Sequence, residues 1–406
     1  MDKKSFPAFF SLLIFSIVLI IVSENASGEN WKHLSSVNGD IDVPNPGKQQ
    51  TATAVLDVDK DGVNDFFITE RSEAPSVVWY RRTSDGWKRY VIDDTKQRIE
   101  AGSASYDIDG DGDTDIVFGG DGGSNCVWWW ENPYPNYDPN VPWKRYEIKN
   151  SGKNKHHDQM FGDFDGDGQI ELVFWNQGEK KLYIADIPKN PKSAATWDYK
   201  EIYAWSGDSQ MEQRGTYPGW KGTNEHEGLA KIDIDGDGKL DIIGGGHWFK
   251  HIEGDRFLPN VIDTGYVFTR TAAGQLVEGG RPEVVLVVGD GIAPLIMYEW
   301  KDGTWMGKVI WEGVNNGHSI DIIDFDGDGH LDIFNAEMNL GDNPDAKTRI
   351  FLGDGTGNFR LYVPVTGFGL HESQITDLDG DGDYDILGKP YKWEAPRLDI
   401  WINEGK

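Results

Sequence analysis

The chain has 406 residues, with 68 acidic against 39 basic side chains and a net charge of −29, a balance that repels polyanions and excludes nucleic acid as a partner. A single cysteine, Cys126, excludes an intrachain disulfide, so the fold must be held by core burial, by metal, or by both.

The first segment sets the compartment. Lys3 and Lys4 precede an apolar run from Phe9 to Val22, and Ala26-Ser27-Gly28 supplies small residues for cleavage. This pattern predicts a secretory signal over residues 1–28 and a secreted or periplasmic protein. An uncleaved membrane anchor is the competing reading, but the run falls short of the ~20 residues a membrane-spanning helix needs. No membrane span is expected after cleavage, and a monomer is expected. Residues 29–406 are long for one domain, but closed all-β folds often run to this size.

From residue 57 onward an acidic loop recurs: DVDKDGVND at 57, DIDGDGDTD at 107, DFDGDGQIE at 163, DIDGDGKLD at 233, DFDGDGHLD at 324 and DLDGDGDYD at 377. The gap between 233 and 324 holds a seventh copy, GGRPEVVLVVGDG at 279, in which Gln275, Val277 and Gly279 replace the acids and only Glu283 remains. An apolar or alternating run precedes each loop (ATAVLDV, GLAKIDI, SIDIIDF) and another follows it (DIVFGG, DIIGGG, DIFNAE), so each loop joins two strands. A Trp-rich third strand (SVVWYRR, CVWWWEN, LDIWINE) and a basic-aromatic fourth (WKRYVID, WKRYEIK) complete the unit. Four strands repeated radially predict an all-β fold, a single seven-bladed β-propeller over residues 29–406. LDIWINEGK at the C-terminus lacks a fourth strand and WKHLSSV at 31 lacks a first, so pairing them closes the last blade and removes an open sheet edge.

Carboxylates at loop positions 1, 3, 5 and 9, with the position 7 carbonyl, suit one hard cation, and Ca²⁺ takes six to eight such oxygens. The expected ligands are Asp57, Asp59, Asp61, Val63 and Asp65; Asp107, Asp109, Asp111, Asp113 and Asp115; and Asp163, Asp165, Asp167, Gln169 and Glu171. The later loops add Asp233, Asp235, Asp237, Lys239 and Asp241; Asp324, Asp326, Asp328, His330 and Asp332; and Asp377, Asp379, Asp381, Asp383 and Asp385. Up to six structural Ca²⁺ ions follow. An EF-hand is excluded because position 12 is Ile68, Phe118, Phe174, Gly244, Asn335 or Gly388 instead of a bidentate Glu. Four carboxylates in each of six loops account for 24 of the 68 acids, which leaves 44 against 39 bases and a nearly balanced remainder.

These loops resemble the FG-GAP and VCBS repeats, the calcium-loop propellers of integrin α-subunits and of many secreted bacterial proteins; Phe161-Gly162-Asp163 carries the FG part of the phrase. The WWENP phrase and GHSIDIIDFDGDGHLDIFNAEMNLGDNP are similar to the propeller domain of aldos-2-ulose dehydratase and to propeller-fold polysaccharide lyases. That resemblance implies β-elimination on a saccharide.

Residues just before each first strand and just after each second strand share the face opposite the loops. Ahead of the first strands stand Gln50, Glu100, His156, His157, His226, Arg270, His318 and His371; beyond the second strands lie Glu70, Arg71, Asp121, Gln177, His247, Glu337, Lys389 and Tyr391. Five of the nine histidines therefore stand ahead of the first strands, at one mouth of the channel. Imidazoles with cationic neighbours suit β-elimination, in which a cation neutralises a carboxylate, a base takes the adjacent proton and an acid protonates the leaving oxygen. The expected catalytic set is His226, His318 and His371 as acid or base, Tyr391 as second acid or base, and Arg270 and Lys389 as neutralisers. His156, His157, His247, Glu337 and the insertion residues Arg214, Tyr217 and Trp220 are the expected substrate-binding groups. A zinc or other divalent ion on the histidines is a further cofactor this set allows. The second reading is a non-catalytic module that binds carbohydrate or protein through the same face.

Overall fold

The computed structural model describes residues 30–206, 212–217 and 225–405. The expected signal segment 1–28 and Trp220 lie outside these residues.

The described residues form seven four-stranded antiparallel sheets. Six are continuous in sequence, over residues 50–93, 104–149, 156–204, 229–261, 269–315 and 319–366. The seventh takes Gln374–Thr376, Asp385–Gly388 and Asp399–Asn403 and adds Trp31–Ser35 as its outermost strand, pairing Trp31 with Asn403 and Ser35 with Asp399. First strands of neighbouring blades contact one another around the ring, so they line the central channel. Both termini thus build one blade, as the unpaired third and fourth strands in the sequence require. Among the described residues no helix is long and apolar enough to cross a membrane.

The core is divided among the blade junctions. Asp65–Glu70 is buried throughout, and its period-2 alternation sends Phe66 and Ile68 toward the seventh blade and Phe67 toward the second. Phe67, Trp79, Phe118 and Trp130 fill the first junction, Trp129 and Phe174 the next, and Trp175 and Phe249 the one after. A disulfide-free ring is held in this way by an apolar wedge between adjacent blades. Cys126 packs half-buried against the first of these wedges, and burial raises its thiol above the ordinary range.

The loop position 9 carboxylate is a staple. Asp115 accepts hydrogen bonds from the amides of Ile108 (3.1 Å) and Asn132 (2.8 Å), tying the loop to the end of the third strand. Asp332 does the same with Phe325 and Gly353, and Asp385 with Leu378 and Asn403. Glu283, in the blade without an acidic loop, keeps the role by accepting from Leu276 and Val277, both at 2.9 Å. Glu283→Ala removes the carboxylate acceptor of the Val277 amide and leaves Leu276 only its bond to the Gly274 carbonyl (3.1 Å), and is expected to cost about 1 kcal/mol in urea unfolding, equally with and without calcium. A calcium-dependent loss would contradict the metal-free role of this residue.

Candidate functional site

At the loop end, glycines set the turn. Gly110 and Gly112 adopt φ of 76° and 92°, which lets Asp107 accept from both of their amides. One oxygen each from Asp163, Asp165, Asp167 and Glu171 lies within 4.8 Å of the others, and Asp57, Asp59 and Asp61 and then Asp107, Asp109 and Asp111 form similar groups. Buried oxygens there lack partners: Asp59 Oδ1, Asp235 Oδ1, Asp324 Oδ1, Asp326 Oδ1 and Asp379 Oδ1. The other oxygen of Asp59 meets Arg81, and that of Asp235 meets Lys250. Unpartnered carboxylate oxygens converging in a turn fit a hard cation. In the degenerate loop the Gln275 amide donates to the Val277 and Gly279 carbonyls, placing a side-chain N–H₂ among the groups that an ion would otherwise organise.

The opposite mouth concentrates charge. His157, Glu227, His318 and His371 each stand six residues ahead of the first loop aspartate of their blade, Asp158 and Glu372 stand five ahead of theirs, and Arg270 stands five ahead of Gln275, which takes that place in the degenerate loop. Because side chains alternate along a strand, a single residue of offset decides which of them face one another. A bulge between His157 and Gln159 breaks the register there. His157 Nδ1 hydrogen-bonds Asp158 Oδ2 at 2.6 Å, and its Nε2 stands 3.6 Å from Glu227 Oε1. His318 Nε2 lies 3.7 Å from Glu227 Oε2, and its Nδ1 lies 3.1 Å from Glu372 Oε1. The Arg270 guanidinium bridges Asp158 (3.1 Å) and Glu372 (3.0 Å). His371 packs on His318 with ring centroids 4.4 Å apart, and Tyr391 covers His371 at 5.1 Å.

Burial opposes every charge in this cluster, and partners decide the outcome. For His157 the Glu227 and Asp158 carboxylates outweigh burial and lift its pKa to about 9. Burial would raise Glu372, but Arg270 overrides it and holds the carboxyl at about 2. Burial raises Glu227 above the usual carboxylate range. Burial, then the neighbouring His318, holds His371 far below the ordinary imidazole value, so it is neutral. Burial brings Lys389 down to about 7.

Several expected site residues are used elsewhere. His226 is not with His318 and His371: it stands seven ahead of its loop and turns into the third and fourth blade junction, against Trp175 (5.4 Å), Trp205 (4.4 Å) and His247 (5.8 Å). His247 hydrogen-bonds the Gly245 carbonyl and the Tyr203 hydroxyl. His156, also seven ahead, faces Phe174 and bonds the Asn176 amide. Glu337 pairs with Arg349 at 2.8 Å and accepts the amides of Asn315 and Lys347, so no oxygen is left for a ligand. Arg214 pairs with buried Asp263, and the Tyr217 hydroxyl accepts from the Val267 amide, which fastens the insertion to the fifth blade instead of to the mouth. Arg270 spends its charge on two acids and is no free neutraliser. Lys389 donates to the Thr51 and His371 carbonyls and so positions His371. Glu227, Asp158 and Glu372 are the residues that a reading confined to histidines overlooks, although each directly follows a histidine.

Two buried histidines outside the cluster, His156 and His226, give stability a pH slope. Burial lowers both His156 and His226 from 6.5 to about 3. In both cases the unfolded state takes up the proton first, so their contribution is complete above pH 6.5 and is lost as pH falls toward 3. Each adds at most about 1.4 kcal/mol per pH unit over that window, and His226→Asn should flatten the acid limb of a stability curve measured at saturating calcium. An unchanged acid limb would contradict a buried neutral imidazole.

Comparison with known proteins adds a family relation. Residues 107–174 and 163–244 match the model of the FG-GAP-like repeat. No curated protein matches the chain. Solved structures that resemble it include AofleA from Arthrobotrys oligospora, 12% identical over 86% of this chain and 92% of that one at a TM-score of 0.43. The NanB sialidase from Streptococcus pneumoniae is 12% identical over 90% and 70% at 0.42, and the S. cerevisiae core factor 10% over 94% and 62% at 0.48.

Proposed function

From a chain that carries FG-GAP-like repeats on a seven-bladed propeller, we propose a secreted or periplasmic protein, stabilised by calcium in its acidic loops, that acts on saccharides by β-elimination at the channel mouth. The observation that carries this reading is the stack of Arg71, Tyr391 and His371. The Arg71 guanidinium lies 5.1 Å from the Tyr391 ring, and that ring lies 5.1 Å from His371. Exposure is graded from the rim inward: the Arg71 side chain keeps 16% of its surface and Arg270 11%, against 3% for His157 and 5% for His318, and His371 lies just beneath Tyr391 at 5%. Arg71 and Tyr391 form the reachable rim, and the inner histidines organise the floor.

In the proposed step Arg71, which already donates to Glu100 at 2.6 Å, turns its remaining N–H donors to a sugar carboxylate and lowers the barrier to losing the adjacent proton. His371, neutral, takes that proton; the electron pair forms a C=C bond; the C–O bond to the leaving group breaks; and its oxygen takes a proton from Tyr391, which burial keeps as the phenol. Lys389 holds the His371 backbone in place.

The test is incubation of the calcium-loaded protein with a panel of acidic and neutral polysaccharides while following the ultraviolet absorbance of an unsaturated sugar. A rise with at least one acidic glycan is expected. Binding on a glycan array with no product from any polysaccharide would instead support the non-catalytic module.

A further inference from the structure

We infer that His157, Glu227 and His318 form a binding site for one divalent transition-metal ion of the zinc class, at the channel axis and distinct from the six calcium loops. This site does not depend on the saccharide reading.

The donor set is mixed and converges from three blades. The ligand atoms of His157, Glu227 and His318 lie within 4.8 Å of one another, and all three residues are buried. Two imidazoles and one carboxylate suit a borderline ion and not calcium, which is held by oxygens alone. The separations point the same way. Each Nε2 stands 3.6 or 3.7 Å from a Glu227 oxygen, too long for a hydrogen bond. The gap is close to the ~3.4 Å that separates two donors bound at ~2.1 Å in a tetrahedral site. Glu227 Oε2 has no hydrogen-bond partner although its side chain is only 6% exposed. Such a group is costly to bury unless something charged meets it.

The surroundings are those of a metal centre. Each imidazole has a carboxylate at its Nδ1 and turns its Nε2 inward: His157 Nδ1 hydrogen-bonds Asp158 at 2.6 Å, and His318 Nδ1 makes a 3.1 Å ion-pair contact with Glu372 without hydrogen-bond geometry. Carboxylates behind ligating histidines fix the tautomer and the ring orientation. Arg270 locks both carboxylates, and the Gly228 amide donates to Asp158 at 2.8 Å. Gln177 Nε2 donates to Glu227 Oε1 at 3.2 Å and holds the third donor.

Backbone strain is located at the same residues. Asp158 and Glu372 adopt φ of 46° and 50°, while the matching positions in the second and fourth blades are Gly102 and Gly228, with φ of 88° and 71°. An acid in the left-handed region costs on the order of 1 kcal/mol relative to glycine, and such strain persists where the side chain is needed. Here both strained side chains orient a histidine.

The test is titration of the full mature chain, saturated with calcium, with Co²⁺. One equivalent should bind and give the intense visible bands of four- or five-coordinate cobalt. Glu227→Gln and His318→Ala should weaken that binding at least 100-fold, and Asp158→Asn 10- to 100-fold, while His226→Ala, outside the cluster, leaves it unchanged. If His318→Ala fails to fold, the near-isosteric Glu227→Gln and Asp158→Asn decide. A spectrum of hydrated octahedral cobalt only, or equal affinity in wild type and Glu227→Gln, overturns the site. Bound cobalt without elimination product leaves the site standing and removes the saccharide reading, and product without bound cobalt does the reverse.

Discussion

A calcium-selective chelator is expected to unfold this protein at temperatures where the calcium-loaded form is stable. Each of the six acidic loops gathers four or five carboxylates, and buried oxygens of Asp59, Asp235, Asp324, Asp326 and Asp379 have no hydrogen-bond partner. At calcium concentrations about 100 times its dissociation constant, one site contributes about 2.7 kcal/mol. Six such sites would together exceed the ~5–15 kcal/mol of net stability typical of a folded protein. No disulfide offsets the loss, because Cys126 is the chain's one cysteine. Differential scanning calorimetry should therefore show a fall in Tm of tens of degrees on chelation, restored by calcium and not by magnesium, whose stiff octahedral preference suits these turns poorly. A Tm that does not move would make the loops solvated acidic turns.

The second large effect is on catalysis. His371→Ala should lower the rate of product formation by about 10²- to 10⁴-fold while leaving Tm nearly unchanged, because loss of a proton-transfer group has effects of that size. Tyr391→Phe should act similarly, since it removes the hydroxyl and keeps the ring that covers His371. If His371→Ala retained full activity, the base would have to be sought elsewhere on the rim.

The scaffold was legible because its signals are local. The aspartate spacing, the alternation that sends Phe66 and Phe67 to different junctions, and the unpaired WKHLSSV and LDIWINEGK segments each specify their own strand or turn. Even the loss of one loop could be read from Gln275, Val277 and Gly279. The mouth was legible only in outline. Its histidines lie on the expected face, but with a side-chain period of two, His156 and His226 turn away while His157 and Glu227, one residue later, turn in. Fixing the offset at six residues from the first loop aspartate would have selected His157, Glu227, His318 and His371 together. Glu337 and Arg214 could not have been set aside from sequence, because their partners Arg349 and Asp263 come from strand pairing and insertion packing that no local pattern encodes.

The central claim is that the two ends of the ring do separate work, calcium at one and chemistry at the other. The most direct measurement is the rate of unsaturated-sugar formation per folded molecule in Asp379→Asn, which weakens one loop, compared with His371→Ala. The account predicts that Asp379→Asn lowers Tm and keeps the rate within about twofold, the size expected where no group that acts in the transition state is lost, while His371→Ala lowers the rate by about 10²- to 10⁴-fold at a nearly unchanged Tm. Equal rates in the two variants would contradict it.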